Sequence, residues 1–267
     1  MAGSDTVPAS DLRSRLTGPM ADLAPLKRAL LLAEVSMVSY LDDATDAAAT
    51  LGFTETRFID RDGAQAYVFE TTHDRVIACR GTEPNEWNDI KADANALCDA
   101  AETVGRVHRG FKREVDDLWP LIKEELVDDG RDLWFTGHSL GGAMATICAG
   151  RCKLDEIPVS PVETQTFGSP RVGSKRYVTH SGIEHLRWVN NNDVVTRVPP
   201  RWLGYVHTGT KMYLDSNGDH LPKFTAAQVA KDRAKGFRNG LKQRKLDHFA
   251  DHAIAAYVEY IARAAED

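Results

Sequence analysis

Leu133-Trp134-Phe135-Thr136-Gly137-His138-Ser139-Leu140-Gly141-Gly142 is the stretch on which the reading of this chain turns. Its first four residues make a strand-like apolar run, its last ones open a helix-like run, and a serine sits between them in the pattern G-x-S-x-G. That order is the signature of a nucleophile elbow, in which a strand turns sharply into a helix and lifts the serine hydroxyl clear of the sheet. The backbone of such a turn is strained and the helix must pass close to the strand, so small neighbours are required; Gly137, Gly141 and Gly142 supply them. The same turn aims the first helical N–H groups, led by that of Leu140, at the place where negative charge would develop on an attacked carbonyl oxygen.

With 267 residues, 42% hydrophobic and 27% charged, the chain is long and apolar enough to bury one substantial core. Its formal charge of −6 gives no global reason to expect nucleic acid as a partner. No run approaches the roughly eighteen apolar residues of a spanning helix, and residues 1–20 lack the apolar centre of a signal peptide. The chain therefore reads as cytoplasmic, or as secreted with its export signal absent from this sequence. Residues 1–20 read as a flexible N-terminal segment and 21–267 as a single catalytic domain. Cys79, Cys98, Cys148 and Cys152 show no ligand-like clustering with histidine. They are expected to be buried free thiols rather than a metal site or disulfides.

Along the chain, apolar periodicity and turn residues alternate between strand and helix, which points to an α/β class with a mostly parallel central sheet flanked by helices. Residues 23–41 read as a helix, 66–70 and 75–80 as strands joined by a polar turn. A further helix follows Gly110, with Phe111, Val115, Leu118, Ile122 and Leu126 on one face and Pro120 inside it. The elbow helix extends to Leu154. Strands follow at 163–167 and 185–189, then a long helical C-terminus.

A serine hydroxyl is a poor nucleophile at neutral pH, so Ser139 needs a basic imidazole, and that imidazole needs an orienting carboxylate. Where an elbow serine leads, acid and then histidine follow on loops at the carboxyl ends of later strands. Asp193 leaves the 185–189 strand through Asn190-Asn191-Asn192 and is the best-placed acid; Asp155, Asp215 and Asp219 compete but read as turn carboxylates. Beyond Asp193 lie His207, His220, His248 and His252. His252 stands immediately before an apolar helix starting at Ala253 and is the best-placed base, with His248 its rival. Thr82, beside Gly81 at the end of an apolar strand, is placed to face a pocket.

These residues together resemble the class-three lipases, the fungal-lipase-like branch of the α/β-hydrolases. The likeness runs over roughly residues 60–260. It includes Arg80-Gly81-Thr82, Val107-His108-Arg109-Gly110-Phe111, the elbow from Gly137, Thr166 to Gly173, the run Asn191 to Val195 leading to Pro199-Pro200, and Asp251-His252 with Tyr257 five residues on. The resemblance implies the α/β-hydrolase fold and places Ser139, Asp193 and His252 at the triad positions, which favours His252 over His248. It gives Thr82, with the N–H of Leu140, the oxyanion hole. It implies a serine carboxylester hydrolase of lipase type that acts without a cofactor, through an acyl-enzyme, on acyl esters of glycerol or related lipids and water. Phospholipase A-type, polar-ester and thioester hydrolysis are the neighbouring readings, and a non-catalytic binding module a distant one.

Two segments bear on how a lipid would arrive. After Thr82 the family places a tryptophan just ahead of its lid; here the run is polar, with Trp87 and Ile90 the candidates for that position, so strong interfacial activation is not expected. Residues 231–245 gather Lys231, Arg233, Lys235, Arg238, Lys242, Arg244 and Lys245 against one acid, Asp232. Such a segment suits a solvated helix face or transient contact with an anionic lipid surface.

Overall fold

The protein is described from a computed structural model covering residues 11–81, 98–154, 157–242 and 250–266. In chain order its helices are α1 (Pro25–Val38), α2 (Thr45–Leu51), α3 (Arg109–Glu125), α4 (Leu140–Leu154), α5 (Lys175–Ser181), α6 (Ala226–Lys242) and α7 (Ile254–Glu266). The strands are β1 (Glu55–Arg61), β2 (Ala64–Glu70), β3 (Asp74–Cys79), β4 (Cys98–Ala100), β5 (Arg106–His108), β6 (Asp132–His138), β7 (Pro161–Phe167), β8 (Gly173–Ser174), β9 (His185–Asn190), β10 (Tyr205–Val206), β11 (Thr210–Leu214) and β12 (His220–Leu221).

The main sheet runs β1-β2-β3-β6-β7-β9-β11-β12, parallel from β3 to β11 and antiparallel at both margins. Parallel strands are covered on both faces, and β6 shows why its sequence is a continuous apolar run: all its residues after Asp132 are buried. Alternation divides them between two cores. Trp134 enters the core made with α1 and α7, and Phe135 enters the one made with α3 and α4. Thr136, the polar member, donates to the carbonyls of Leu32 and Gln165 and meets Ser36 at 2.9 Å, so its burial leaves no hydroxyl unsatisfied. A small sheet, β10-β8-β5-β4, caps the carboxyl end of the main one. Among the described residues no helix is long and apolar enough to cross a membrane.

Three differences from the sequence reading have physical causes. The first helix begins at Pro25 rather than Leu23, because the proline ring drives Ala24 out of the helical region, to ψ 144°. Residues 11–20, expected in the flexible segment, are packed: Leu12, Leu16 and Met20 are buried, the Arg13 and Ser14 N–H groups donate to Glu34, and that of Met20 donates to Asp74. The first ten residues lie outside the described set. Strand β1 and helix α2 were not read at all. In β1 only Ile59 is buried, so no apolar alternation announces it; its pairing with β2, Glu55 opposite Glu70 through Arg61 opposite Ala64, is what makes it a strand.

Beside this margin Glu70 is buried and accepts from three guanidinium groups: Arg75 at 2.5 Å, Arg131 at 2.6 Å and Arg57 at 2.8 Å. Burial alone would raise its pKa, but the three hydrogen bonds outweigh burial and hold it below the ordinary carboxylate value. A carboxylate depressed in the folded state contributes stability that is complete above its unfolded pKa of about 4.3 and is lost as pH falls through the folded value. Glu70→Gln is therefore expected to cost roughly 1–3 kcal/mol at neutral pH, since the charged acceptor shared by three guanidinium groups is lost and buried Arg75 keeps only the partly exposed Asp129 as a carboxylate partner. Denaturant unfolding at neutral and acid pH checks this: the gap between wild type and variant should narrow as pH drops below about 4.

Candidate active site

Strands β3, β6, β7 and β9 end at one edge of the sheet, and apart from His252, which comes from the turn before α7, what meets Ser139 leaves from those ends. The serine follows His138, the last residue of β6, and precedes α4. It has φ +60°, a left-handed conformation that costs a non-glycine residue about 1–2 kcal/mol. Two backbone bonds hold it there: its N–H donates to the Phe167 carbonyl at 2.9 Å, and its carbonyl accepts from Gly142 at 3.0 Å. Gly141 has to be glycine, because a Cβ there would collide with the Cys79 carbonyl at the end of β3. The first N–H of α4 is that of Leu140. Gly81 lies against the same turn, so close to the Tyr40 hydroxyl and the His138 carbonyl that a Cβ would meet them at 2.5 and 2.8 Å. Thr82, the residue after it, is outside the described residues.

Asp193 is delivered by the turn after β9. Its N–H donates to the Asn190 carbonyl at 2.8 Å, and one carboxylate oxygen accepts from the Val195 N–H at 2.8 Å. The other oxygen meets Nδ1 of His252 at 2.9 Å and accepts from the Tyr257 hydroxyl at 2.6 Å. His252 Nε2 lies 2.8 Å from Ser139 Oγ. A carboxylate can only accept, so Nδ1 carries the proton and Nε2 faces the serine as acceptor. Ser139, Asp193 and His252 are all buried, at 1%, 0% and 4% exposure. Gly168, after β7, sits beneath them at φ +64°; a Cβ there would press on Asp193 Oδ2 at 2.8 Å and His252 Nδ1 at 2.9 Å.

The other candidates are held elsewhere. Asp215 closes its own turn by accepting from the Asn217 and Asp219 N–H groups, and Asp219 pairs with Arg263. His207 donates to the Thr196 carbonyl at 2.8 Å, and His220 packs against Trp188. Asp155, His248 and the Trp87 to Ile90 stretch lie outside the described residues, as do residues 243–245 of the basic segment, whose earlier part falls in α6. Cys79, Cys148 and Cys152 are free and buried; Cys98 is free and half-buried.

Two participants escaped the sequence reading. His138, read only as a spacer in the elbow, stacks on His252 with ring centroids 4.5 Å apart and planes 34° apart. Its Nε2 donates to the backbone carbonyl of His252 at 2.7 Å, and its Nδ1 accepts from the Tyr40 hydroxyl at 3.0 Å. Burial, reinforced by the nearby His252, pushes its pKa well below the ordinary histidine value, so it is a neutral donor. Tyr40, just past α1, offered no local signal, since it lies 98 residues from His138. Tyr257 accepts from the Asn190 N–H at 3.0 Å while donating to Asp193; burial, then the Asp193 charge, pushes its phenol well up, so it stays protonated.

Residues 76–202 match the family model for lipase (class 3). The chain is 33% identical over 137 residues to a lipase of Rhizopus niveus, covering 48% of this chain and 35% of that protein. It is 34% identical over 164 residues to secreted mono- and diacylglycerol lipase 1 of Fusarium solani, covering 58% of this chain and 47% of that protein. It thus spans about a third to a half of the length of these relatives. Among solved structures, the Rhizomucor miehei triacylglyceride lipase superposes with a TM-score of 0.63 at 23% identity, over 71% of this chain and 80% of that one. At that identity the likeness bears on the fold.

Replacing His138 by leucine removes the donor to the His252 carbonyl and leaves a buried acceptor unsatisfied, at a cost of about 1–3 kcal/mol in whatever the His252 position controls. The His138→Leu variant is expected to lose roughly tenfold to a hundredfold in kcat with KM little changed. Steady-state kinetics on a soluble ester, alongside a melting curve to confirm folding, checks it.

Proposed function

We propose that this chain, which belongs to the class 3 lipase family, is a serine carboxylester hydrolase of lipase type that acts on acyl esters of glycerol or related lipids through an acyl-enzyme. The observation that carries the proposal is the continuous hydrogen-bonded line from Ser139 Oγ through His252 to Asp193, at 2.8 and 2.9 Å. The mono- and diacylglycerol lipase among its relatives supports glycerol esters as the substrate class.

In this reading Ser139 Oγ attacks the ester carbonyl carbon while His252 Nε2 takes the hydroxyl proton. The imidazolium so formed keeps its Nδ1 proton and donates it in a hydrogen bond to Asp193, whose charge Tyr257 and the Val195 N–H help to hold in place. The oxyanion accepts from the Leu140 N–H, with Thr82 assigned the second donor on the strength of the sequence resemblance. Collapse of the tetrahedral species expels the alcohol, which takes the proton from Nε2. Water then attacks the acyl-serine, gives a proton to Nε2, and the acid leaves as Ser139 recovers its own. Every proton moves through one nitrogen, so the 2.8 Å contact is the step on which turnover depends.

Ser139→Ala is expected to reduce hydrolysis about 10⁴- to 10⁶-fold and to abolish fluorophosphonate labelling. Asp193→Asn should cost about 10⁴-fold by misorienting the imidazole, and His252→Ala should abolish activity that His248→Ala largely keeps. A panel of mono-, di- and triacylglycerols, phospholipids and short nitrophenyl esters reads both the reaction and the head group. A folded Ser139→Ala protein with near-normal turnover would sink the assignment.

A further inference from the structure

The loops that frame Asp193 carry cations that no acid among the described residues neutralises. Arg171, Arg197, Arg201 and Arg233 gather in the segments around Asp193 and make no ion pair among the described residues. Two of them donate to backbone carbonyls instead: Arg171 to those of Arg197 and, at 2.9 Å, Pro199, and Arg233 to that of Asn191 at 3.1 Å. They are also close to one another. Arg171 has its pKa lowered first by burial and then by Arg201, Arg197 and Arg233, with no acid offsetting them. In a chain of net charge −6, this is a local reversal of sign.

On the same loop Trp202 is 82% exposed, far more than any other large hydrophobic side chain described; the next, Val127, is 47% exposed. It is flanked by Arg201, itself exposed, with exposed Arg197 a few residues back. The loop is not slack. Arg171 clamps it at Arg197 and Pro199, His207 donates to the Thr196 carbonyl, Thr196 donates to the Asp193 carbonyl, and β10 pairs with β8 directly after it. The indole is therefore held in solvent by a braced scaffold. An exposed aromatic ring with a polar edge, on a loop that also exposes two guanidinium groups, suits the interface of a bilayer whose head groups carry negative charge.

We propose that the loop of residues 194–204 docks the protein on an anionic phospholipid surface, with Trp202 inserted at head-group depth and Arg197 and Arg201 against the lipid phosphates. It deepens the lipase reading, on which it rests, by naming the surface from which the ester is drawn. The docking loop begins at Asp193, and Arg171 follows Gly168, which abuts His252, so the contact would form beside the triad. This surface differs from the one expected at 231–245, of which only Arg233 joins it.

Co-sedimentation of the Ser139→Ala protein with vesicles tests it without hydrolysis, comparing phosphatidylcholine alone with an equal mixture of phosphatidylcholine and phosphatidylglycerol. Binding is expected on the mixed vesicles, weaker on the neutral ones, and falling with salt, because exposed charges are screened over roughly 8 Å at physiological ionic strength. With each cation near an anionic membrane worth about a factor of five, Arg197→Gln/Arg201→Gln should lower the partition coefficient roughly 25-fold. Trp202→Ala, at a fully exposed position, should lower it on both kinds of vesicle with an unchanged melting curve. Equal partition to neutral and anionic vesicles, no binding to either, or variants that bind as wild type would each overturn the proposal. A wild-type protein that binds anionic vesicles yet hydrolyses no ester would sink the lipase reading and leave the docking surface standing.

Discussion

The strained turn at Ser139 is the constraint on which the rest of the structure depends. A left-handed φ on a residue with a Cβ survives only where its surroundings over-determine it, and here they come from three strands at once. Phe167 at the end of β7 accepts the serine N–H, Cys79 at the end of β3 leaves room only for glycine at 141, and α4 must start immediately. That helix is buried along nearly its whole length, from Leu140 to Cys152. Its burial supplies what the turn costs: a single large side chain removed from water contributes about 1.5–3 kcal/mol against about 1–2 for the αL residue.

The triad extends this logic from backbone to side chains. Each of its members is buried, and a buried polar group without a partner is expensive, so the site is built as a chain in which every acceptor is matched. Asp193 takes donors from His252, Tyr257 and the Val195 N–H; His252 is held at its ring by Asp193 and at its carbonyl by His138; His138 in turn accepts from Tyr40. Burial keeps His138 neutral and Tyr257 protonated, so each stays the donor its place requires. The ionisable partners differ in environment, and that difference assigns the direction of every proton.

The parts of this arrangement that were legible in the sequence are those encoded locally. The elbow reads from consecutive residues, β6 and α4 from uninterrupted apolar runs, and Asp193 from the polar turn after an apolar strand. His252 needed more than spacing, because His248 fits a loop ahead of α7 equally well by composition; the resemblance of the Asp251-His252 segment separated them. What stayed hidden depends on pairing between distant segments. Strand β1 shows no apolar alternation and exists because β2 lies beside it, and Tyr40 acquires a role only when the chain after α1 meets the end of β6. Residues 11–16 look like a polar tail until Glu34, buried inside α1, is seen to need their N–H groups as partners.

Glu34 and the acid loop illustrate opposite solutions to one electrostatic problem. A charge placed in or near the core must be met by hydrogen bonds or opposite charge. Glu34 recruits backbone N–H groups from the N-terminal segment, and Glu70 recruits three arginines, so both carboxylates are satisfied within the protein. Arg171 is half-buried among like charges: its Nη1 donates to carbonyl oxygens, which carry no net charge to neutralise it, and its buried Nε has no partner among the described residues. The Asp193 loop is thereby braced while no acid among the described residues meets its cations. A loop so constructed is braced from its inner side by the half-buried Arg171 and turns the exposed Arg197 and Arg201 to solvent on its outer side, so rigidity beside the acid of the triad and surface charge come from different guanidinium groups of one cluster.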